Sequence, residues 1–224
     1  MGCILKGGGG LYQRLVVGAV LLAAGAGSRL GGRPKSLLEL GGVPLIRRQL
    51  IALSGAGVDE VVVVLGHHAA AIEAAVRDFP VTLARNPSPD DGQASSVLIG
   101  LQALAGKLDA VIVALADQPL VNGQDIAALI GAFKKRGDAA MVVPRVGGEP
   151  GNPVIFDAAL RDEWLAGGAH AACRRWRERH PERIAWFDTD NARYRIDIDT
   201  PEDLQRFSER TGHALQWPAA RAAD

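Results

Sequence analysis

Hydrophobic positions along this chain follow two different periods. The runs Val16–Ala23, Glu60–Leu65 ("EVVVVL"), 109–116 ("DAVIVALA") and Ala139–Pro144 are apolar without a polar face, as expected of strands covered on both sides. Between them, apolar residues recur three and four apart. Pro44–Gly55 places Leu45, Ile46, Leu50 and Leu53 on one helical face, and Ala69–Arg77, Val97 to Ala105 and Ile126–Lys135 read the same way. Val81–Arg85 is a short strand. This alternation predicts an α/β fold with an open, mostly parallel sheet and right-handed crossovers. Ligands of such sheets sit beyond the carboxyl ends of the strands. The glycine-rich loop from Gly25 and the carboxylate of Asp117 both fall at that edge.

After Pro144 the pattern loosens. "RVGGEPGNPVIF" predicts a flexible loop feeding a short strand, Ala171–Glu178 a helix, Ile184–Phe187 a strand, and "YRIDIDTPEDLQRF" a strand entering a helix. Thr200 suits the N-cap of that helix, Pro201 its first position and Asp203 its third. The expected organisation is a disordered or misassigned extension over residues 1–14, one domain over 15–210 and a loose tail over 211–224.

Composition narrows the partners. The chain has 224 residues, 48% of them hydrophobic, enough for a sizeable core without staples. Lys+Arg and Asp+Glu number 25 each, so no global basic field attracts nucleic acid or anionic membrane, and any anion site must be local. Cys3 and Cys173 fit neither a metal spacing nor a disulfide framework, which makes a reducing cytoplasm the expected location. Met-Gly-Cys at the start is a weak lipidation signal, and the apolar stretch after it is too short for a signal peptide. No apolar run approaches the roughly 18 residues of a membrane span.

The loop "LLAAGAGSRLGGRPKSLLELGG" fits neither familiar phosphate-binding pattern. Gly27 and Gly32 have Walker A spacing, but Arg33 and Pro34 stand where Lys and Ser/Thr are needed. Gly25, Gly27 and Gly31 are one residue too long for a dinucleotide fingerprint, and no acidic residue ends the second strand. What remains is a turn of backbone amides with Arg29, Arg33 and Lys35, suited to one polyphosphate or to an ordinary solvated turn. Asp117 ends a buried strand and is a candidate magnesium ligand or a turn cap. Asp197 and Asp199 alternate with Ile196 and Ile198, so both carboxylates share a face. His67 and His68 have no ligand-spaced partner and read as loop or helix-start residues, and Trp164, Trp176 and Trp186 read as packing.

These residues resemble a known family. "LLAAGAGSRLGGRPK" resembles the L-A-A-G-x-G-x-R-x-G…K signature of the sugar-nucleotidyltransferase-like superfamily, and the chain is most similar to its MobA-like branch of molybdenum cofactor cytidylyltransferases and guanylyltransferases. "NPSPDDGQASSVLIGLQAL", "ALADQPLV", "GEPGNPVIF" and "IDIDTPEDL" resemble four further motifs of that branch, in order. The resemblance implies a three-layer α/β/α sandwich with a Rossmann-like sheet of the nucleotide-diphospho-sugar transferase type. It implies a single nucleotidyltransferase domain that moves CMP or GMP from an NTP to a phosphorylated acceptor, a molybdopterin or molybdenum cofactor, and releases pyrophosphate. A molybdoenzyme is the implied recipient of the product.

Carried onto this chain, the resemblance assigns catalysis to Arg29, Lys35 and Asp117. It assigns the nucleotide to Ala23, Ala24, Gly25, Gly27, Arg29, Lys35, Gly92 and Ser96, with Ser95 or Gln93 as alternatives in the last segment. Mg²⁺ falls to Asp117 and Asp197, with Asp199 as the alternative carboxylate, and the acceptor to Gly151, Asn152 and Pro153. "LAAG" tilts the base toward CTP over GTP, while Asn152 replaces a histidine frequent in the cytidylyl branch and leaves the acceptor open. Rival readings are a guanylyltransferase for another small phosphate and a non-catalytic nucleotide-binding module of the same fold. Intact Arg29, Lys35, Asp117 and Asp197 argue against the second.

Overall fold

The computed structural model describes residues 14–167 and 174–219. Its strands are β1 (Val17–Ala23), β2 (Glu39–Leu40), β3 (Val43–Pro44), β4 (Glu60–Leu65), β5 (Thr82–Arg85), β6 (Ala110–Leu115), β7 (Met141–Val146), β8 (Glu149–Pro150), β9 (Val154–Asp157), β10 (Ile184–Asp188) and β11 (Leu215–Gln216). The α-helices are α1 (Leu45–Gly55), α2 (Ala69–Val76), α3 (Gln93–Ala103), α4 (Gly123–Lys134), α5 (Ala158–Gly167), α6 (Arg174–Arg179) and α7 (Pro201–Thr211).

The runs without a polar face became the buried heart of the sheet. Its order is β10-β7-β9-β6-β1-β4-β5, with β8 paired to β7. β6, β1, β4 and β5 run parallel, as do β7 and β10, whereas β9 is antiparallel to both its neighbours. Alternate residues of β1 feed two cores. Val17, Ala19, Leu21 and Ala23 pack with Ile46 and Leu50 of α1, Ile72 of α2 and Leu129 of α4. Val20 packs on the other face with Val97 and Leu101 of α3 and Leu160 and Trp164 of α5. The result is the expected three-layer, mostly parallel arrangement.

Three expectations change. "RVGGEPGNPVIF" is not a flexible loop. β7 runs on to Val146, folds back as β8, and Val154–Phe156 enter the main sheet as β9 because all three are buried there. "YRIDID" is not a strand: residues 192–195 form a 3₁₀ turn. The stretch after it crosses the strand ends, with Ile198 N donating to Asp117 O at 3.2 Å. The described part of the tail is seated, since Leu215–Gln216 pair antiparallel with Leu40–Glu39. Trp217 stacks on Arg33, 3.9 Å from guanidinium carbon to ring centroid. Of the extension, only Arg14 is described, and its guanidinium bonds Asp59 at 2.6 Å. Residues 171–173 of the expected helix Ala171–Glu178 also lie outside the described residues.

A third, smaller cluster positions the site. Leu30 and Leu38 of the glycine loop, Leu40, Leu45, Ile198 and Phe207 are buried together. It joins the glycine loop to the Asp197 segment and α7. α7 starts as its sequence indicates: Thr200 Oγ1 accepts from Asp203 N at 3.2 Å, and Asp203 Oδ2 accepts from Thr200 N at 2.8 Å. Asp203 Oδ2 also accepts from Asp199 N at 3.1 Å. Burial raises the Asp203 pKa, but these amides and the Thr200 hydroxyl outweigh it and hold the carboxyl below its ordinary value. A depressed folded-state pKa gives stability present above the unfolded value and lost as pH falls through the folded one. Asp203→Ala is therefore expected to cost about 1–2 kcal/mol near neutral pH and less in acid, read from urea unfolding at both pH values. An equal cost at both would show that the carboxylate charge is not what holds the cap.

Candidate active site at the strand carboxyl ends

β1 ends at Ala23, and the chain turns at once. Gly27 adopts φ 63°, ψ 28°, and a Cβ there would lie 1.9 Å from Arg33 O, so only glycine closes this loop. Its carbonyl takes Leu30 N at 2.8 Å and Gly32 N at 3.0 Å. The turn brings Lys35 back over the end of the sheet.

There the Lys35 ammonium bridges the carboxylates of Asp117 and Asp199. Arg29 Nη1 stands 3.7 Å from the other oxygen of Asp199. Lys35, Asp117 and Asp199 border a cavity of about 300 Å³ floored by the ends of β1 and β6. Ala23, Ala24, Gly25, Lys35, Ser96, Asp117, Asp197 and Asp199 all line it. The alternation argument for Asp197 and Asp199 thus holds without a strand, because buried Ile198 faces the core between them. Ser36, His67, Asp90 and Gln93 line the cavity as well. Gly27, Arg29 and Gly92 are not among its lining residues.

The electrostatics follow from burial. Asp117 is 9% exposed, and its Oδ1 is buried without a hydrogen-bond partner. Burial pushes its carboxyl pKa up; Lys35 only partly opposes this. For Lys35, burial pulls the pKa down, yet Asp117 and Asp199 outweigh it and hold the ammonium above its ordinary value. The two shifts pull one ion pair in opposite senses, and the cation is the firmer charge because two carboxylates hold it. Asp197 also moves up, through desolvation and then repulsion from Asp117 and Asp199. It nonetheless remains open to the cavity mouth, available to a ligand.

Second-segment residues are held by Asn86, the buried asparagine that opens "NPSPDDG". Its amide nitrogen lies 2.9 Å from both Ser95 Oγ and Ser96 Oγ. Ser96 faces the cavity, whereas Ser95 turns to Gly92 O at 2.8 Å. His67 Nε2 is 3.0 Å from Asp90 Oδ1 at the rim, and His68 Nε2 is 3.0 Å from Ala26 O. Trp164 and Trp176 are core, as expected; Trp186 is exposed beside Arg145.

Gly151, Asn152 and Pro153 do not line the cavity. A Cβ on Gly151 would lie 2.7 Å from Tyr194 O, and Asn152 N donates to that same carbonyl at 2.8 Å. Gln118, the residue after Asp117, donates to Asn152 O and Tyr194 O, both at 3.2 Å. Asp125 anchors this assembly: it accepts from Asn191 Nδ2 at 2.7 Å and Arg193 Nη1 at 3.1 Å, and its carbonyl takes the Tyr194 hydroxyl at 2.7 Å. Sequence reasoning missed Gln118, Asp125 and Arg193, because their partners lie far along the chain. His67 and Asp90 were findable, since each follows the carboxyl end of a strand.

A nucleotidyl transferase from Methanothermobacter thermautotroptrophicus shares this fold at TM-score 0.69 and 26% identity, over 87% of this chain and 97% of that one. Fold and site together define a nucleotidyltransferase. The chain belongs to the family of the MobA-like NTP transferase domain, whose model matches residues 19–184. A molybdenum cofactor guanylyltransferase of Cereibacter sphaeroides is 33% identical over 84% of this chain and 93% of its own length. The nicotine blue oxidoreductase of Paenarthrobacter nicotinovorans is 32% identical over 85% of this chain and 96% of its own length.

Proposed function

We propose that this nucleotidyltransferase moves CMP, with GMP as the alternative, from the triphosphate to a phosphorylated pterin-type acceptor of the molybdenum cofactor kind. The observation that carries the reading is the Lys35 ammonium clasped by Asp117 and Asp199 beside the glycine loop, with Asp197 in the same cavity. An acceptor phosphate oxygen forms a bond to the α-phosphorus. The bond from that phosphorus to the α,β-bridging oxygen breaks, and pyrophosphate leaves with the electron pair. A phosphate nucleophile is already ionised near neutral pH, so no general base is needed. The work left to the protein is alignment and charge stabilisation.

The chain's own groups divide that work. Ala23, Ala24, Gln93 and Ser96 line the cavity and would border the base. The loop amides and Arg29 hold phosphate oxygens. Lys35 moves from the carboxylates to the phosphates when the triphosphate enters. Three carboxylates face Lys35 and Arg29, so these side chains alone would repel a triphosphate. The unpartnered Oδ1 of Asp117 and the open carboxylate of Asp197 fit a magnesium ion, which takes few protein oxygens and completes its shell with water and phosphate. Among the described residues no three ligand side chains stand close enough to hold an ion by themselves, in keeping with a metal that arrives with the nucleotide. Bound there, it would neutralise charge on the phosphates as pyrophosphate departs.

The base preference rests on the "LAAG" resemblance, while the guanylyltransferase relative favours GTP. Calorimetric titration of CTP and GTP, each with and without Mg²⁺, decides. Metal-dependent binding of CTP alone is the expected result. Preference for GTP would replace the cytidylyl reading, and no binding of either would sink both. One relative's name favours a second reading, an oxidoreductase; were its cofactor a nicotinamide dinucleotide, the glycine loop would have to hold it. The Gly25, Gly27, Gly31 spacing is one residue too long for that use. Absence of a protein-dependent change in reduced-nicotinamide absorbance with an artificial dye acceptor would dismiss it.

A further inference from the structure

A second cavity of about 190 Å³ lies against the Asp197 segment and α7. Arg195, Arg206, Arg210 and Thr211 line it, with the carboxylates of Asp197 and Asp203. Arg206 and Arg210 are four residues apart and leave the same face of α7. Arg195 meets them from the 3₁₀ turn before the Asp197 segment. Arg206 is partly satisfied by Asp203 Oδ1 at 3.0 Å. The other oxygen of Asp203 is taken by the Asp199 and Thr200 amides. Arg195 and Arg210 make no side-chain hydrogen bond or ion pair among the described residues.

Three guanidiniums therefore face two carboxylates, one of them already committed. The volume is below the roughly 300–1,000 Å³ of drug-sized ligand pockets, so the occupant is a small group. Guanidinium forks match phosphate oxygens. Asp197 lines both this cavity and the larger one, so the two share a wall. We propose that the arginine cavity is a second anion site, taking a phosphate-type oxyanion behind the Asp197 segment. The occupant is either free phosphate or pyrophosphate, or a second anionic group on the acceptor.

The test is calorimetric titration of inorganic pyrophosphate into the whole chain and into Arg195→Gln/Arg210→Gln, without nucleotide or metal. The unaltered chain should bind one equivalent more than the double variant. Each single variant should weaken that equivalent about tenfold, the worth of one charge-assisted contact. Arg195→Lys/Arg210→Lys, which keeps the charge, should restore part of the binding. Equal stoichiometry and affinity in all five proteins would overturn the proposal. Thermal melts should coincide, since neither guanidinium has a partner to lose, so a missing equivalent is not a folding defect.

Kinetics separates the sources. A rise in acceptor KM alone, in the double variant, assigns the site to the acceptor. Loss of inhibition by added phosphate with acceptor KM unchanged assigns it to the free anion. The titration needs no turnover. A chain that transferred no nucleotide yet showed the extra equivalent would defeat the proposed function and leave this site standing.

Discussion

Replacing Asp117 with asparagine is expected to lower nucleotidyl transfer by about 10³-fold or more, the scale of losing a preorganised charge at the reacting phosphates. The fold should survive. Asn is nearly isosteric, and Lys35 keeps Asp199 as a partner. The buried carboxylate is itself costly, with one oxygen unpartnered and its pKa pushed up by burial. Neutralising it should leave stability near neutral pH within about 1 kcal/mol, or about 2–4 °C in Tm for a chain of this length. The pH dependence sharpens the test. A carboxyl whose folded-state pKa lies above its unfolded value binds its proton more tightly when folded. Stability then falls as pH rises from the unfolded pKa through the folded one. Asp117→Asn should remove that fall, so the two stability profiles converge in acid and separate above the ordinary carboxylate range. Near-normal turnover in the variant would remove Asp117 from the reaction. A collapse of Tm would make it a structural residue instead.

The parts of this architecture legible in the sequence are those whose cause is local. β1, β4 and β6 announce themselves because strands buried on both faces must be apolar throughout. Asp117 stands out because a carboxylate directly after such a run has to emerge at the sheet's edge. Thr200, Pro201 and Asp203 mark the start of α7 because a capping box is a four-residue interaction. Asp197 and Asp199 were placed on one face by their spacing alone, although the ladder expected to carry them does not exist.

What stayed hidden depends on distant partners. β9 runs antiparallel between β6 and β7, a choice made by the hairpin before it and not by its own four residues. α5 escaped because its fully buried positions are few: only Leu160 and Trp164, four apart. β2, β3 and β11 are two residues each and exist only as a small sheet with one another. The seat of Trp217 on Arg33 joins positions too far apart for any spacing rule. Asp125 is the sharpest case. As the third residue of α4 it reads as an ordinary cap, and it is one. It also holds Asn191, Arg193 and, through its carbonyl, Tyr194, and so sets the path of the segment that delivers Asp197.

Lys35→Met is expected to damage both stability and activity, and the way magnesium repairs the first identifies the metal site. Lys35 bridges Asp117 and Asp199, and its folded-state pKa lies above the ordinary lysine value despite burial. A raised lysine pKa contributes stability that is fully present below the unfolded value and lost as pH climbs through the folded one. At neutral pH the whole contribution is in force, and methionine deletes it. The expected loss is about 2–3 kcal/mol, below the 3–5 kcal/mol of a fully buried pair broken on one side. The loss is limited because Asp199 is solvated and because Asp117, already pushed up by burial, takes a proton once its cation is gone. In the unaltered chain the ammonium occupies the carboxylates that a divalent ion would need. Millimolar Mg²⁺ without nucleotide should therefore raise the Tm of Lys35→Met more than that of the unaltered chain, since an ion that binds only the folded state stabilises it in proportion to its affinity. Transfer should fall by about 10²–10³-fold, because Arg29 alone is left to meet the triphosphate. If Mg²⁺ stabilised both proteins equally, the ion would bind elsewhere, and Lys35 would be a structural clamp on Asp117 rather than a charge waiting to be displaced.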